Sequence, residues 1–562
     1  MDLRHWKLAA IAACLSPLVQ AILPDGRFNG NIFPRPGVPR LDIPEGRVIA
    51  VDGTALPPIN TTYYFEQLID HNNPSRGTFW QRYWHTWEFY KPGGPIVLNT
   101  PGEFDASGYI GYVTNRTFPG MIAQQENGAT IVLEHRFFGL SNPIPDLSAK
   151  SLKLHTIQQA IDDLEYFARN VKLPMPGGDQ VAPGQAPWIL TGGSYPGALT
   201  AYTMVNKPGL FHIGYASSAV VQNIMHYWRY FEPIRTTMPR ACARDVQAVI
   251  EYIDRTFRGK NQTAIQAIKD NFGLGDMIHL DDVAGALRNN LWRYQELSPI
   301  SSPNAPFHQF CNALQMKDGV SAPPSGWGRR HALEAWGKYW RTTYLPQLCG
   351  SLNTEDCLGT YDTSQPWWSD IRINNNWRSW FWIVCHEVGF FQNGAPRGFP
   401  TIVSRLTKPE QDIRQCQQMF PNAFPSLAPP NVAATNTAYK GWRIKVDRLF
   451  FANGLRDPWR GASMSAKSHH VPLVSTPRQP IAMAAGGYHC SDLLASFAVD
   501  PTVDAVQKQA LASIKTWMTE WQPSTPLIGP QGNEPAIDTR PPPPDAPKAK
   551  PINAWFREML PI

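Results

Sequence analysis

The stretch TGGSYPGALT, Thr191 to Thr200, places one serine among glycines directly after the apolar run PWIL. Glycine and proline are common in ordinary turns, so a tight turn is one interpretation. The other is a nucleophile elbow, in which a strand turns sharply into a helix and exposes a serine hydroxyl. In the usual G-x-S-x-G pattern a glycine stands two residues after the serine, but here Pro196 holds that position and Gly197 follows. This stretch alone leaves both interpretations open.

Six short apolar runs, each bounded by Gly, Pro or Asn, are typical of strands buried on both faces of a parallel sheet. They are PIVLNT (95–100), TIVLEHR (130–136), PWILTGG (187–193), FHIGYASSAVV (211–221), RLFFANG (448–454) and PIAMAAGG (480–487). Between the second and third runs, residues 155–170 repeat apolar side chains at helical spacing. Strand, helix, strand, turn and helix is the alternation of an α/β sheet, so we expect an α/β fold.

The domain organisation follows from a change of pattern in the middle of the chain. Residues 222–389 contain amphipathic helical pieces such as EYIDRTF and HALEAWGKYW, and strand signals return near Arg443. We expect an α/β-hydrolase sheet built from residues 22–221 and 390–525, with a mostly helical cap inserted between them. Residues 526–562, which include RPPPPDAPKAKP, are expected to form an extended Pro-rich tail.

The N-terminus predicts export from the cell. Residues 1–21, MDLRHWKLAAIAACLSPLVQA, combine basic residues, an apolar core and a small-residue cleavage site, which is the pattern of a signal peptide. Three glycosylation sequons, at Asn60, Asn115 and Asn261, agree with this. No later segment reaches about 18 consecutive apolar residues, so no membrane span is expected. We predict a secreted protein, with a vacuole or lysosome as the alternative destination.

Charge and cysteine content narrow the class of protein further. The net charge is +6 over 562 residues and the basic side chains are scattered, so nucleic acid is not an expected partner. Seven cysteines remain once the leader is removed, and most should pair in an oxidising compartment. Cys349 and Cys357 enclose the shortest loop, and the other pairings stay open. No zinc-ligand spacing is present, so neither metal nor other cofactor is expected, and the oligomeric state is left open with a dimer as one option.

A nucleophilic serine needs a base and an acid that orients it, and α/β-hydrolases place these residues in the order Ser, acid, His. FFANGLRDPWRG puts Asp457 just after one predicted strand, and AAGGYHCSDL puts His489 just after another. An Asp before Pro can simply form a turn, and a single His can pack or cap. Three strand-end positions in the required order nevertheless favour a catalytic triad of Ser194, Asp457 and His489.

Six motifs spread along the chain carry a family resemblance. They are IDHNNPSRGTFWQRYW (69–84), LEHRFFGLS (133–141), GGSYPG (192–197), RSWFWIVCHEVGFFQ (378–392), NGLRDPW (453–459) and GYHCSDL (487–493). Together they resemble the family of lysosomal and secreted proline-specific serine peptidases that includes prolyl carboxypeptidase, dipeptidyl peptidase II and the fungal acid prolyl endopeptidases. In that family a glycine three residues after the serine is normal, so the resemblance favours the elbow.

The oxyanion hole of such a peptidase needs two hydrogen-bond donors. The backbone N–H of Tyr195, next to the nucleophile, is the expected first donor, and the loop at Gly102 supplies the expected second. Two departures from the family stand out: Cys490 follows His489 where mammalian members have a second histidine, and the family's TGNEG segment appears as TPGEFD (100–105). The altered segment keeps Glu103, the candidate partner for a substrate's ammonium group.

The resemblance implies a serine peptidase that cleaves proline-containing peptides on the carboxyl side of proline. Trp459 matches a family pocket tryptophan, and Trp377 and Trp380 are further candidates for an apolar wall against the proline ring. The closest resemblance, to the fungal prolyl endopeptidases, favours cleavage after internal proline. Alternatives are a proline carboxypeptidase or dipeptidyl peptidase, a secreted esterase, and an inactive hydrolase-fold binding protein. The missing HGGG segment speaks against the esterase, and the intact triad against the binding protein.

Overall fold

The described part of the chain contains a large central sheet. The structure is a computed structural model that describes Leu23 and residues 27–35, 37–41, 46–424, 426, 428–467 and 473–524. The predicted signal peptide and the predicted Pro-rich tail lie outside the described residues. None of the described helices combines the length and apolar character that crossing a membrane requires.

Eight strands form the central sheet. They are β1 (Tyr63–Leu68), β2 (Thr78–Thr86), β3 (Ile96–Asn99), β4 (Ala129–Leu133), β5 (Trp188–Gly193), β6 (Ile213–Ser217), β7 (Leu449–Gly454) and β8 (Ile481–Ala484). Their spatial order is β1-β2-β4-β3-β5-β6-β7-β8. The pairs β1–β2 and β2–β4 are antiparallel, and every pair from β4 to β8 is parallel. The carboxyl ends of the parallel strands β3 to β8 therefore lie at the same edge of the sheet.

Four helices cover the two faces of this sheet: α1 (Phe118–Glu126), α2 (Ile157–Asn170), α3 (Tyr195–Asn206) and α4 (Pro501–Met518). The apolar side chains of α2 and α3 belong to one core cluster, and those of α1 and α4 belong to the other. The helix predicted over 155–170 is α2, whose N-terminus is capped by Thr156. A mostly parallel sheet between helical layers, with an elbow after β5, is an α/β-hydrolase fold.

The antiparallel edge of the sheet is not predicted from the sequence. Each of the six apolar runs contains one strand, but β1 and β2 carry polar residues at buried positions. Arg82 in β2 is buried because it forms hydrogen bonds of 2.8 Å and 2.6 Å with the carboxylate of Glu134, at the end of β4. A buried charge that is paired in this way can occupy a central strand, but the pairing is a tertiary effect that local hydrophobicity cannot reveal.

A long helical excursion separates β6 from β7. A two-stranded parallel sheet in it pairs Ile224–His226 with Gly389–Phe391, and its described disulfides join Cys242–Cys311, Cys349–Cys357 and Cys385–Cys416. The Cys349–Cys357 bond is the one the sequence predicts. The helices of this excursion are Phe231–Thr237, Arg240–Phe257, Gln262–Asn271, Leu280–Ala286, Arg288–Trp292, Pro306–Gln315, Arg329–Tyr339, Leu345–Cys349, Thr354–Leu358, Asn376–Ile383, Pro409–Met419 and Val432–Tyr439.

Candidate active site

Ser194 lies on a strained turn between β5 and α3. Its φ of 64° and ψ of −125° are unusual for a residue with a side chain, as expected where a strand turns abruptly into a helix. Its backbone N–H donates to Ser217 O at 2.8 Å, which joins the turn to β6. A Cβ at Gly197 would come within 2.7 Å of the same carbonyl oxygen, so the glycine three residues after the serine allows this close approach. The stretch TGGSYPGALT (191–200) therefore forms an elbow and not an ordinary turn.

Asp457 and His489 form a hydrogen-bonded pair beyond the ends of β7 and β8. Asp457 Oδ1 lies 2.9 Å from His489 Nδ1 and also accepts the backbone N–H of Trp459 at 2.8 Å. Both side chains are buried. With the Nδ1 proton donated to the carboxylate, Nε2 of the neutral imidazole is left as a proton acceptor. This is the arrangement that a general base requires.

The end of β6 holds the histidine loop and the elbow together. Cys490 N donates to Ser218 Oγ at 2.9 Å, and Asp492 Oδ1 accepts the hydroxyl of Ser217 at 2.8 Å. Ser217 also accepts the backbone N–H of Ser194, so one strand end contacts both catalytic loops. The sequence analysis did not identify these supporting residues, since no motif or spacing links them before the chain folds.

The reactive atoms of the site have no hydrogen-bond partner among the described residues. These atoms are Ser194 Oγ and His489 Nε2, and both are buried. Burial lowers the pKa of His489, but the opposing contributions of the Asp457 carboxylate and of Cys490 are larger, so the pKa is raised above its ordinary value. The imidazole thus gains protons readily, which suits a base whose cationic form is stabilised by an adjacent carboxylate.

The two segments expected to supply the oxyanion donors pack against each other. Tyr195 N is the first amide of α3, a position whose N–H has no acceptor within its own helix. Gly102 has a φ of 74°, and a Cβ there would collide with the ring of Pro196. The loop around Gly102 therefore packs directly on the elbow. Amides at this place can stabilise negative charge that develops on a substrate carbonyl oxygen.

Trp459 belongs to an aromatic cluster beside the catalytic histidine. Its ring centroid lies 6.3 Å from that of His489 and 5.6 Å from that of Tyr227, on which it stacks. Tyr230 and Phe390 meet the indole edge-on at 5.3 Å and 5.4 Å. Only Trp459 is predicted from the sequence, because its three neighbours come from the helical excursion.

The other two predicted tryptophans lie against different residues. Trp380 is fully buried and packs on the ring of Tyr195 at 5.3 Å, behind the elbow. Trp377 lies 4.9 Å from the guanidinium group of Arg35.

Glu103 is fully buried, and burial raises its pKa to about 8, with the positive charges of Arg35 and His489 opposing the shift. Arg35 is a neighbour that the sequence analysis did not identify.

The EHR motif supports the site from below with buried polar contacts. Glu134 pairs with Arg82, and Arg136 Nε donates to Asp163 Oδ2 at 2.6 Å. His135 Nε2 lies 3.1 Å from the hydroxyl of Tyr195, the residue after the nucleophile. Satisfied buried charges of this kind fix the geometry of neighbouring loops. These motif residues therefore help to position the elbow through Tyr195, and they are not themselves among the reacting groups.

The predicted glycosylation sites lie at the protein surface to different degrees. Asn60 and Asn261 are exposed, whereas Asn115 is partly buried and donates to Gln124 Oε1 at 3.2 Å.

Cys490, the cysteine beside the catalytic histidine, is buried and unpaired with any described cysteine. In the described part of the chain no cluster of His, Cys, Asp or Glu side chains is arranged to hold a metal ion.

The model of the serine carboxypeptidase S28 family matches residues 67–510, which is well over half of the chain and includes Ser194, Asp457 and His489. The chain belongs to this family. As an S28 serine peptidase it resembles serine protease vicPa of Bipolaris victoriae (strain FI3), with 34% identity over 81% of this chain and 88% of the relative. The S28 relative from Arthroderma benhamiae (strain ATCC MYA-4681 / CBS 112371) is named "Probable extracellular serine carboxypeptidase"; it is 32% identical over 78% of this chain and 64% of its own length.

One solved structure with a distant resemblance to this S28 peptidase is an ester hydrolase. An acetylester hydrolase from Corynebacterium glutamicum matches with a TM-score of 0.33 and 11% identity, over 81% of this chain and 95% of that chain. A similarity this low carries no functional conclusion, so the assignment of the chain as a serine peptidase depends on the family match and on its relatives.

Proposed function

We propose that this protein is a secreted peptidase that cleaves peptides on the carboxyl side of proline, at bonds within the chain. The observation that carries the proposal is the Asp457–His489 pair, held at the same sheet edge as the Ser194 elbow, with the aromatic cluster of Trp459 directly beside it. Flat apolar walls next to a catalytic base suit a proline ring, which offers carbon on every face and no N–H.

The chemistry follows from the positions of three side chains. Ser194 Oγ attacks the carbonyl carbon after proline while His489 Nε2 takes its proton. The carbonyl oxygen becomes negative and is held by the N–H of Tyr195 and the loop at Gly102, a contribution commonly about 3 kcal/mol for each donor. The tetrahedral species collapses, His489 donates its proton to the leaving amine, and water then hydrolyses the ester by the reverse sequence of proton transfers.

Secretion is supported by several independent features. The leader pattern of residues 1–21 and three sequons predict export. The three disulfides are typical of an oxidising compartment. The relative from Arthroderma benhamiae carries the word extracellular in its name. We include delivery to a vacuole or lysosome as the alternative destination.

Cleavage within the chain is favoured because the two basic residues that flank Asp457 already donate hydrogen bonds to described residues. Arg456 donates to the Tyr488 hydroxyl at 3.0 Å, and Arg460 donates to Leu455 O at 2.6 Å. The second candidate function is an exopeptidase, which the family description and the unpaired carboxylate of Glu103 favour. An exopeptidase gains its selectivity from an ion pair with a charged chain end.

The experiment is digestion of a peptide with one central proline and both ends blocked, followed by mass spectrometry. We expect two products divided after the proline, formed at a rate within about threefold of the free-ended peptide, since the site would not read chain ends. A blocked peptide that survives while its free-ended form is trimmed would identify an exopeptidase. A peptide with alanine in place of proline is the matched control and should be cleaved far more slowly.

A further inference from the structure

The N-terminal segment of the described chain crosses the catalytic face. At one end, Arg27 Nη2 donates to Asn289 Oδ1 of the helical excursion at 2.7 Å. At the other end, the hydroxyl of Tyr112 donates to Pro39 O at 2.7 Å. Between them, Val38 lies close enough to Gly193, the residue before the nucleophile, that a Cβ on the glycine would come within 2.7 Å of Val38 Cγ1. The segment therefore lies beside the elbow.

Arg35 of this segment lies between two aromatic rings. Its guanidinium carbon is 4.3 Å from the centroid of Phe104 and 4.9 Å from that of Trp377. Its Nη1 donates to the backbone oxygen of Glu103 at 2.6 Å. Two aromatic faces and a carbonyl oxygen form a surface that attracts a positive charge.

Glu103 carries a buried carboxylate that its own fold does not satisfy. The side chain is fully buried, and neither Oε1 nor Oε2 has a hydrogen-bond partner among the described residues. An isolated buried carboxylate is unfavourable unless a positive charge or a donor compensates it. Arg35 does not fill that role completely, because its described contact is with the backbone oxygen of Glu103 and its own Nε has no partner in the described part of the chain.

The position of this group relates it to the reaction. Gly102, the adjacent residue, packs on Pro196 and Tyr195 of the elbow. The charge of His489 also acts on Glu103, which places the carboxyl group in the electrostatic range of the catalytic base. Glu103 therefore lies on the loop that packs against the elbow carrying Ser194.

We propose that Glu103, Phe104 and Trp377 form a subsite for a positively charged group of the peptide substrate, and that Arg35 occupies this subsite as an internal substitute. The group is the side chain of an Arg or Lys residue within the peptide. The subsite deepens the proposed function and rests on it, since it selects among peptides that are cleaved after proline. The substrate's cation replaces the guanidinium of Arg35 and gains the unpaired carboxylate.

The test is a series of blocked peptides with one central proline, in which a single arginine is moved along the positions flanking the proline. Each peptide is compared with its citrulline counterpart, which has nearly the same shape and no charge. We expect one position at which arginine raises kcat/KM about tenfold over citrulline, mainly through a lower KM. A third arm compares acetylated and free N-termini on the citrulline peptide, which separates a side-chain cation from a terminal ammonium.

Variants then identify the residue responsible. Glu103→Gln should reduce the arginine-to-citrulline ratio to about one while citrulline peptides are still cleaved. Asp412→Asn is the matched control: Asp412 is also a buried carboxylate, but it accepts a hydrogen bond from Asn393 at 2.8 Å. That control should keep the ratio. Arg35→Gln should lower KM for the arginine peptide, because the internal competitor is gone.

The outcomes are separable from those of the proposed function. The wild-type comparison needs no variant, so a misfolded Glu103→Gln protein leaves the test intact. If the wild-type enzyme cleaves citrulline peptides after proline but shows a ratio of one for every arginine position and for both N-termini, the cation subsite is wrong and the peptidase assignment stands. If no peptide in the series is cut after proline, the proposed function itself fails.

Discussion

Two acidic loops flank the catalytic serine, and they differ in how their carboxylates are held. Asp457 Oδ1 accepts two hydrogen bonds, from His489 Nδ1 and from the backbone N–H of Trp459. Glu103 is equally buried, yet neither of its oxygens has a partner among the described residues. Asp457 Oδ2 has no partner among the described residues, but Oδ1 already holds the imidazole, as expected of a residue that orients a base. The second lacks a partner, as expected of a residue that meets an external ligand.

Removing the nucleophile gives the reference against which both loops are compared. Ser194→Ala should lower kcat by about a millionfold, because proton transfer and acyl-enzyme formation are lost together. The measurement is hydrolysis of a peptidyl-proline p-nitroanilide, with circular dichroism to verify the fold. A variant that keeps a tenth of the activity would show that another residue is the nucleophile, and the contrast between the two loops would lose its meaning.

The Asp457 loop should produce the larger effect of the two. Asp457→Asn should lower kcat by about 10⁴-fold, because the histidine loses both its orientation and the carboxylate that stabilises its charged form. That carboxylate raises the pKa of His489, so the acid limb of the kcat/KM profile should move to lower pH in the variant. A profile whose acid limb stays in place would contradict the pairing of these side chains.

By comparison, Glu103→Gln should change the kcat/KM for a neutral peptide less than tenfold.

The aromatic cluster beside the Asp457 loop should govern the choice of residue before the cleaved bond. Trp459→Ala should reduce the preference for proline over alanine about tenfold or more, since one wall against the ring is lost. The readout is the ratio of kcat/KM values for paired peptides. Trp80→Ala is the control, because Trp80 is a partly exposed tryptophan in β2. If the preference for proline over alanine is unchanged in Trp459→Ala, the proline pocket does not include Trp459.

The Glu103 loop should produce the smallest effect, and it concerns stability. The folded pKa of about 8 lies above the ordinary 4.5, so the folded protein keeps a proton that the unfolded chain releases between these values. Wild-type stability should therefore fall as pH rises through this window, and Glu103→Gln removes that loss. The Tm advantage of the variant should grow by about 2–5 °C from pH 4.5 to pH 8. Glu251→Gln, at an exposed glutamate, should show a flat difference.

The parallel part of the fold could be predicted because local hydrophobicity encodes it. Strands β3 to β8 are short apolar runs, and Ser194, Asp457 and His489 follow three of them in the order the chemistry needs. Strand β2 could not be predicted in this way, because Arg82 is tolerated there only through its ion pair with Glu134. That pairing depends on residues far apart in the chain.

The specificity elements were harder to predict than the triad. Tyr227 and Phe390 reach Trp459 from two separate segments of the helical excursion, and no spacing in the sequence links them. Arg35 reaches Glu103 from the N-terminal segment, where a basic residue between prolines gives no sign of its partner. Glu103 itself was identified as a candidate, but its lack of a partner is visible only after folding.

The most direct measurement is labelling of the folded protein with a peptidyl-proline diphenyl phosphonate, followed by mass spectrometry of the adduct. This reagent reacts with a serine only when a base activates it and a pocket holds the proline. We expect a single adduct on Ser194, formed at least tenfold faster than with the alanine phosphonate and strongly slowed in Asp457→Asn. An adduct on a different residue, or equal rates for the proline and alanine reagents, would contradict a post-proline serine peptidase.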